Sequence, residues 1–117
     1  MTDRPVREII EHQHPVVANA EITVSAAAQL MQRNHTGAVL ITEGERLAGI
    51  FTERDALFRV IAAGRDPCAT RVADVMTRDP RTISPARPFG HALHLMYEGE
   101  FRHVPVVENG QIGRAHV

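Results

Sequence analysis

The chain has 117 residues, of which 44% are hydrophobic and 23% charged, and its formal net charge is -1. These values are typical of one small globular domain with a modest core, and they argue against binding of nucleic acid through bulk charge. Because the sequence has no apolar run long enough for a bilayer and no signal-peptide layout at its start, we expect a cytoplasmic protein that does not bind a membrane.

The two halves of the chain resemble each other when one is shifted along the other by 65 residues, which is Pro80 minus Pro15. At this shift 15–19 falls on 80–84, and 38–41 falls on 103–106. A repeat of this kind predicts two copies of one small structural unit. We therefore divide the chain into four segments: a first repeat at 6–63, a connector at 64–71, an incomplete second repeat at 72–112 and a tail at 113–117.

The first repeat is predicted to contain a helical lead-in, a short extended piece, a helix, two strands and a second helix. Strands are expected at 38–42 and 47–51, joined by a turn around Gly44. Gly64 is placed to end the second helix. The apolar face of the first helix is predicted to comprise Val24, Ala27, Ala28 and Met31. The second helix is predicted to bury Ala56, Leu57, Val60 and Ile61.

The second repeat is predicted to contain a helix that begins near Pro88, since proline is tolerated in a first turn. The apolar face of this helix is expected to comprise Phe89, Ala92, Leu93 and Met96. A strand at 103–107 contains Pro105, which cannot donate to a ladder, so part of this strand's backbone should be unpaired in the sheet. That backbone could contact a ligand, or the proline could simply protect an edge strand from aggregation.

The symmetry of the two repeats stops after Ile112. No second Thr-x-x-Asp follows, nor the helix that should come after it. Either the tail 113–117 is foreign to the natural protein, or the natural protein is cut short there. In both cases we expect an exposed apolar surface that favours dimerisation or lowers stability.

Gly49 to Asp55, with the sequence GIFTERD, is the stretch most suited to a binding site. The spacing Thr52-x-x-Asp55 is that of a capping box, in which both side chains satisfy free backbone N–H groups. A helix start with free N–H groups, approached closely over Gly49, would also suit a phosphate. Asp55 could then accept two hydrogen bonds from a diol such as a ribose. The pattern alone leaves both interpretations open.

The other reactive side chains give no convincing catalytic or metal site. His91 and His94 have a metal-compatible spacing, as do His12 and His14, but neither pair has an evident third ligand. Cys68 has no second cysteine for a disulfide or a shared zinc, in agreement with a reducing compartment. No serine has an evident base, so we predict neither an enzyme nor a metal site.

The order of the motifs resembles a tandem pair of CBS domains, a family named after cystathionine β-synthase. The similarity rests on the repeat, on Gly-apolar-apolar-Thr-x-x-Asp at 49–55, on Asp-Val-Met-Thr at 74–77 and on Phe-Arg-His-Val-Pro-Val-Val at 101–107. It covers 6–112. The resemblance implies a mixed α/β (α+β) fold of two β-α-β-β-α repeats about a pseudo-two-fold axis, the second repeat lacking its last helix.

In this family each cleft binds an adenine nucleotide or a related adenosyl ligand. By resemblance, Thr52 would contact phosphate and Asp55 would hold the ribose hydroxyls. The side chains that would flank the adenine are Met76, Thr77 and Thr82. The opposite wall would comprise Arg102, His103, Val104 and Pro105. Arg54, Arg102 and His103 are the candidates for compensating phosphate charge. The other cleft lacks the Thr and Asp, and its wall at 36–40 has no basic side chain, so we expect at most one competent site.

The resemblance implies a regulatory module that senses AMP, ADP or ATP, with S-adenosylmethionine and NAD as further ligand candidates. Ligand binding would change the relative angle of the repeats and so signal to a regulated partner protein. A homodimer is also implied. The alternative is a structural dimerisation module of the same fold that binds no nucleotide. Nucleic-acid binding is a weaker third hypothesis, because the arginines are scattered.

Overall fold

The computed structural model describes residues 3–9, 15–99, 102–108 and, for the backbone alone, 111–116. The fold is mixed α+β, as the sequence predicts. The chain forms two compact units, one at 16–79 and the other from residues before and after that range. The compact units differ from the sequence repeats. Residues 72–79, which were assigned to the second repeat, lie in the unit at 16–79. No helix in these described ranges is long and apolar enough to cross a membrane.

The larger unit, at 16–79, is built on a four-stranded sheet of order β1-β2-β3-β4. The strands are β1 (Val17–Asn19), β2 (Ala38–Glu43), β3 (Arg46–Thr52) and β4 (Thr77–Arg78). β1 and β2 are parallel, because helix α2 (Val24–Asn34) crosses over between them. β2 and β3 form the predicted hairpin, and Gly44 has φ 65 in its turn. β4 then adds to β3 in the antiparallel sense.

Helix α2 begins and ends as its sequence predicts. The Thr23 hydroxyl accepts the Ala26 N–H at 3.1 Å, and the helix ends at His35, which has φ 51. Val24, Ala27 and Met31 are buried as expected. Ala28 is exposed, so its predicted place on the apolar face is wrong.

A second helix in this unit is capped by Thr52 at its start and is followed by Gly64, which has φ 72. Its first turn, α3 (Glu53–Asp55), continues directly into a π-helix (Ala56–Ile61), in which the Ala62 N–H donates to the Leu57 carbonyl at 2.9 Å. Throughout, helix 53–61 denotes the two together.

The prediction that Leu57 and Ile61 are buried is wrong, because their exposed fractions are 49% and 68%. We predicted them inward from the period of an α-helix. A π-helix bonds residues five apart, and here the two buried residues, Asp55 and Val60, have that separation.

The connector is held firmly on the start of α2. The Val24 N–H donates to the Thr70 carbonyl at 2.9 Å, and the Ser25 N–H donates to the Pro67 carbonyl at 3.0 Å. These contacts satisfy N–H groups that lack partners within the helix. A 3₁₀ turn (Val72–Asp74) follows and leads into β4. The connector therefore places β4 beside β3.

The smaller unit comprises α1 (Val6–Ile9), α4 (Phe89–Gly99), β5 (Pro105–Glu108) and β6 (Gln111–His116). β5 and β6 are antiparallel, and Pro105 is the first residue of its strand, a position that proline tolerates. The strand thus begins two residues after the predicted start. The core of this unit is formed by Val6, Ile83, Ala92, Leu95, Val104 and Val106. Leu93 is 43% exposed, so its predicted burial is wrong, and Leu95 is buried instead.

Candidate functional site

The first feature of the site is a complete capping box at the start of helix 53–61. The Thr52 hydroxyl accepts the Asp55 N–H at 3.2 Å, and Asp55 Oδ2 accepts the Thr52 N–H at 3.0 Å. The capping interpretation of Thr52-x-x-Asp55 is therefore confirmed. The strand-to-helix junction is fixed by side chains on both of its sides.

The sequence analysis expected free N–H groups at this helix start, and that expectation is wrong. The N–H groups of Thr52 and Asp55 are used in the capping box, and the Glu53 N–H donates to the Gly37 carbonyl at 3.0 Å. These three donors are already satisfied within the protein, so they do not offer a phosphate an open backbone site.

Asp55 is the centre of a polar cluster within the larger unit. Its exposed fraction is 6%. The Thr52 hydroxyl lies 3.1 Å from Oδ2, and the Thr77 hydroxyl lies 3.1 Å from Oδ1 and 3.4 Å from Oδ2. A buried carboxylate needs hydrogen-bond donors of this kind, because removal from water destabilises its charge. Asp55 thus has hydroxyl groups at both of its oxygens.

Arg59 supplies the positive charge of this cluster, and the sequence analysis missed it. Its Nε lies 3.6 Å from Asp55 Oδ1, and its Nη1 donates to the Met76 carbonyl at 3.0 Å. One guanidinium therefore joins the carboxylate to the backbone just before β4. The i,i+4 spacing of Asp55 and Arg59 on a predicted helix was the signal that could have found the pair.

Gly49 is needed for strand packing rather than for the close approach of a ligand. A Cβ at this position would lie 2.6 Å from the Thr77 carbonyl oxygen and 2.8 Å from Met76 Sδ. The absent side chain lets β4 lie against β3, and this contact positions the Thr77 hydroxyl beside Asp55. The predicted role of Gly49 as an open approach is therefore wrong.

The remaining predicted site residues are divided between the two units. In the larger unit, Met76 is buried, and the Arg54 guanidinium lies 5.7 Å from the centre of the Phe58 ring. Those of the smaller unit are Thr82, Arg102, His103, Val104 and Pro105. Thr82 and Arg102 are exposed, whereas Val104 and Pro105 are buried. Because Val104 packs in the core, its side chain cannot contact a ligand, and only its backbone could do so.

The wall at 36–40, assigned above to the second cleft, carries an acidic neighbour. Thr36 and Gly37 line a shallow pocket together with Glu53. Glu53 Oε1 lies 2.9 Å from the place that a Cβ would occupy if residue 37 had a side chain. A carboxylate in this place disfavours a phosphate by repulsion.

The histidine pairs and Cys68 add no metal site to the described part of the chain. No group of three or more potential ligands occurs in the described ranges. His94 lies 3.1 Å from Glu98, and Cys68 is exposed. His12 and His14 lie outside the described residues.

Comparison with known protein sequences identifies two copies of one domain. The sequence model of the CBS domain matches residues 6–62 and 72–113. The Arabidopsis thaliana protein CBSCBSPB2 is 42% identical over 95 residues, which are 80% of this chain and 18% of that protein. YhcV of Bacillus subtilis is 32% identical over 90 residues, 77% of this chain and 64% of that protein. This chain spans less than a fifth of CBSCBSPB2, CBSCBSPB1 and CBSCBSPB3.

Solved structures share the fold over nearly the whole chain. A CBS-domain protein from Burkholderia ambifaria is 30% identical with a TM-score of 0.88, covering 97% of this chain and 87% of that one. A CBS domain protein of Pyrobaculum aerophilum complexed with AMP is 23% identical, with a TM-score of 0.88 and coverage of 97% and 86%. The CBS domain pair of protein MJ0100, complexed with 5′-methylthioadenosine and S-adenosyl-L-methionine, is 23% identical, with a TM-score of 0.86 and coverage of 97% and 92%. With both repeats matched in sequence and the fold shared, the chain belongs to the CBS domain family as a tandem pair.

Proposed function

We propose that this chain is a regulatory binding module for an adenosine-containing ligand, and that Asp55 accepts hydrogen bonds from the ligand's ribose. The observation that carries this proposal is the Asp55 carboxylate, buried yet bonded to the hydroxyls of Thr52 and Thr77. A ribose presents two neighbouring O–H donors, which are the same kind of group. The carboxylate is therefore already arranged to accept hydroxyls.

The choice of ligand class is supported by two members of the same fold. One was solved with AMP, and another with 5′-methylthioadenosine and S-adenosyl-L-methionine. All three compounds contain an adenosine with both ribose hydroxyls. AMP, ADP and ATP are our first candidates, followed by S-adenosylmethionine and NAD.

A phosphorylated ligand would also need positive charge. Arg54 and Arg102 are our candidates, because a planar guanidinium can bind a phosphate with two parallel hydrogen bonds. The predicted contacts of Thr82 and of 102–105 rest on the family resemblance and belong to the same proposal. The role that we propose is binding and regulation.

Regulation requires that the ligand favour one conformation over another. In this proposal, ligand binding at Asp55 stabilises one arrangement of the module, and a regulated protein partner binds that arrangement preferentially.

The proposal is tested by thermal unfolding with AMP, ADP, ATP, NAD and S-adenosylmethionine, followed by calorimetric titration of any ligand that raises the Tm. A ligand that binds only the folded state raises the Tm. Asp55→Asn keeps the shape of the side chain and removes its charge. We expect it to weaken binding by about 10- to 100-fold, because the amide nitrogen can only donate and so leaves a ribose hydroxyl without an acceptor, a loss of roughly 1–3 kcal/mol.

Asp74→Asn is the matched control, since Asp74 is an exposed carboxylate paired with Arg71 at 3.5 Å. It removes the same charge and should leave ligand affinity unchanged. If no ligand raises the Tm of the unaltered protein, or if both variants bind equally well, the proposed function is wrong.

A structural dimerisation module is the second candidate function. It is favoured by the exposed apolar side chains Leu57, Phe58 and Ile61 on helix 53–61. Such a module would form a homodimer through this helix and would show no response to nucleotides.

A further inference from the structure

Both carboxylate oxygens of Asp55 already accept hydrogen bonds from protein groups in this structure. Oδ2 accepts the N–H and the hydroxyl of Thr52, and Oδ1 accepts the hydroxyl of Thr77 and lies beside the Arg59 guanidinium. The Asp55 side chain is only 8% exposed. Because this burial restricts access to the carboxylate, we expect a ribose hydroxyl to reach it by replacing one of these protein donors.

The donors from Thr52 are costly to replace. Its hydroxyl accepts the Asp55 N–H as well as donating to Oδ2, and its own N–H closes the capping box. Loss of a helix cap destabilises a protein by roughly the equivalent of a tenfold change in the folding equilibrium. A ligand that displaced Thr52 would have to offset that loss.

The Thr77 hydroxyl is much easier to replace. Thr77 is half-buried and lies in β4, where Ile50 pairs with it through the backbone. Rotation about its Cα–Cβ bond moves the hydroxyl away from Asp55 and leaves the backbone pairing intact. Side chains move between such staggered positions without backbone change.

We propose that Thr77 competes with the ligand for Asp55 and so sets the ligand affinity of the site. In the unliganded protein its hydroxyl satisfies the carboxylate. A ribose hydroxyl then exchanges for it, one donor for one donor, and the net gain from this contact is small. This inference rests on the proposed function, and it replaces the predicted role of Thr77 beside the adenine.

The test compares the affinity of four proteins for AMP, ATP and S-adenosylmethionine by calorimetric titration. Thr77→Val keeps the shape of the side chain and removes the competing hydroxyl. It should bind about 10- to 100-fold more tightly, because the hydrogen bond from the Thr77 hydroxyl to the charged carboxylate no longer has to be broken. Thr77→Ser restores a hydroxyl and should return the affinity toward that of the unaltered protein.

Thr42→Val is the matched control. Thr42 is also half-buried in the same sheet, and its hydroxyl donates to the Ala18 carbonyl at 3.4 Å. Thr42 lies far along β2 from the candidate site, because Thr52 of that site pairs with Ala38 at the other end of the strand. Its loss should lower stability without raising affinity.

Unchanged or weaker binding by Thr77→Val would overturn the proposal while leaving the proposed function standing. Absence of binding to the unaltered protein would instead reject the proposed function, and this inference with it. If Thr77→Val does not fold, threonine-methyl NMR of the unaltered protein replaces it, with the Thr77 signal assigned by its loss in Thr77→Ser. Ligand should change the Thr77 side-chain rotamer, and an unchanged rotamer overturns the proposal.

Discussion

Arg59 stabilises the candidate site by joining the start of its own helix to the segment just before β4. It lies 3.6 Å from Asp55 Oδ1 and donates to the Met76 carbonyl at 3.0 Å. The side chain is 52% exposed, so water screens the ion pair and reduces its contribution. The hydrogen bond to the backbone carbonyl is the more specific interaction, because it fixes where the chain enters β4.

Arg59→Lys should separate these two interactions. Lysine keeps the charge near Asp55, but its single ammonium group cannot reach both partners with the geometry of a guanidinium. We expect the free energy of unfolding, measured with urea, to fall by about 1 kcal/mol. Arg71→Lys is the control, since Arg71 pairs at the surface with Glu21 and Asp74, and its loss should cost little. Equal effects of the two substitutions would contradict a special role for Arg59.

At the scale of elements, the junction between β3 and helix 53–61 was predictable from local sequence. Thr52 and Asp55 have capping-box spacing, and Gly64 ends the helix as expected. Val60 is buried as predicted, whereas the outward positions of Leu57 and Ile61 were not predictable, because the local sequence does not distinguish a π-helix from an α-helix. Thr77 could not be assigned to Asp55 either, since the two residues are 22 positions apart and are brought together by the pairing of β3 and β4.

Gly49 makes that pairing possible, and Gly49→Ala tests it. The added Cβ would lie 2.6 Å from the Thr77 carbonyl oxygen, which belongs to the backbone and cannot simply rotate away. We expect the strands to separate and the free energy of unfolding to fall by about 1–3 kcal/mol in urea.

Gly44→Asn is the control for loss of a glycine in the same hairpin. Gly44 has φ 65, a conformation that asparagine tolerates, and no atom of the described residues lies within 4 Å of the place where its Cβ would stand. This control should retain nearly full stability. If Gly49→Ala also retained nearly full stability, the position of β4 would not depend on close contact with β3.

At the scale of the whole molecule, the question is whether helix 53–61 is a dimer interface. Leu57, Phe58 and Ile61 are 49%, 59% and 68% exposed, and all three lie on the π-helical part of one helix. Single exposed apolar residues are common, but three together on one helix are typical of an interaction surface. A second copy of the chain could bury the same face on both partners, as a two-fold interface requires.

Ile61→Glu tests this interface by placing a charge at its most exposed apolar position. We expect sedimentation equilibrium to show a dimer for the unaltered protein and a monomer for Ile61→Glu, because burying an unpaired carboxylate is strongly unfavourable. Gln29→Glu, which adds the same charge at an exposed position of α2, should remain dimeric. A monomeric unaltered protein would reject the dimerisation candidate. A dimer that dissociates with Ile61→Glu and still binds AMP would show that ligand binding at Asp55 does not depend on dimerisation through this helix, so ligand binding and dimerisation would then belong to separate surfaces of one chain.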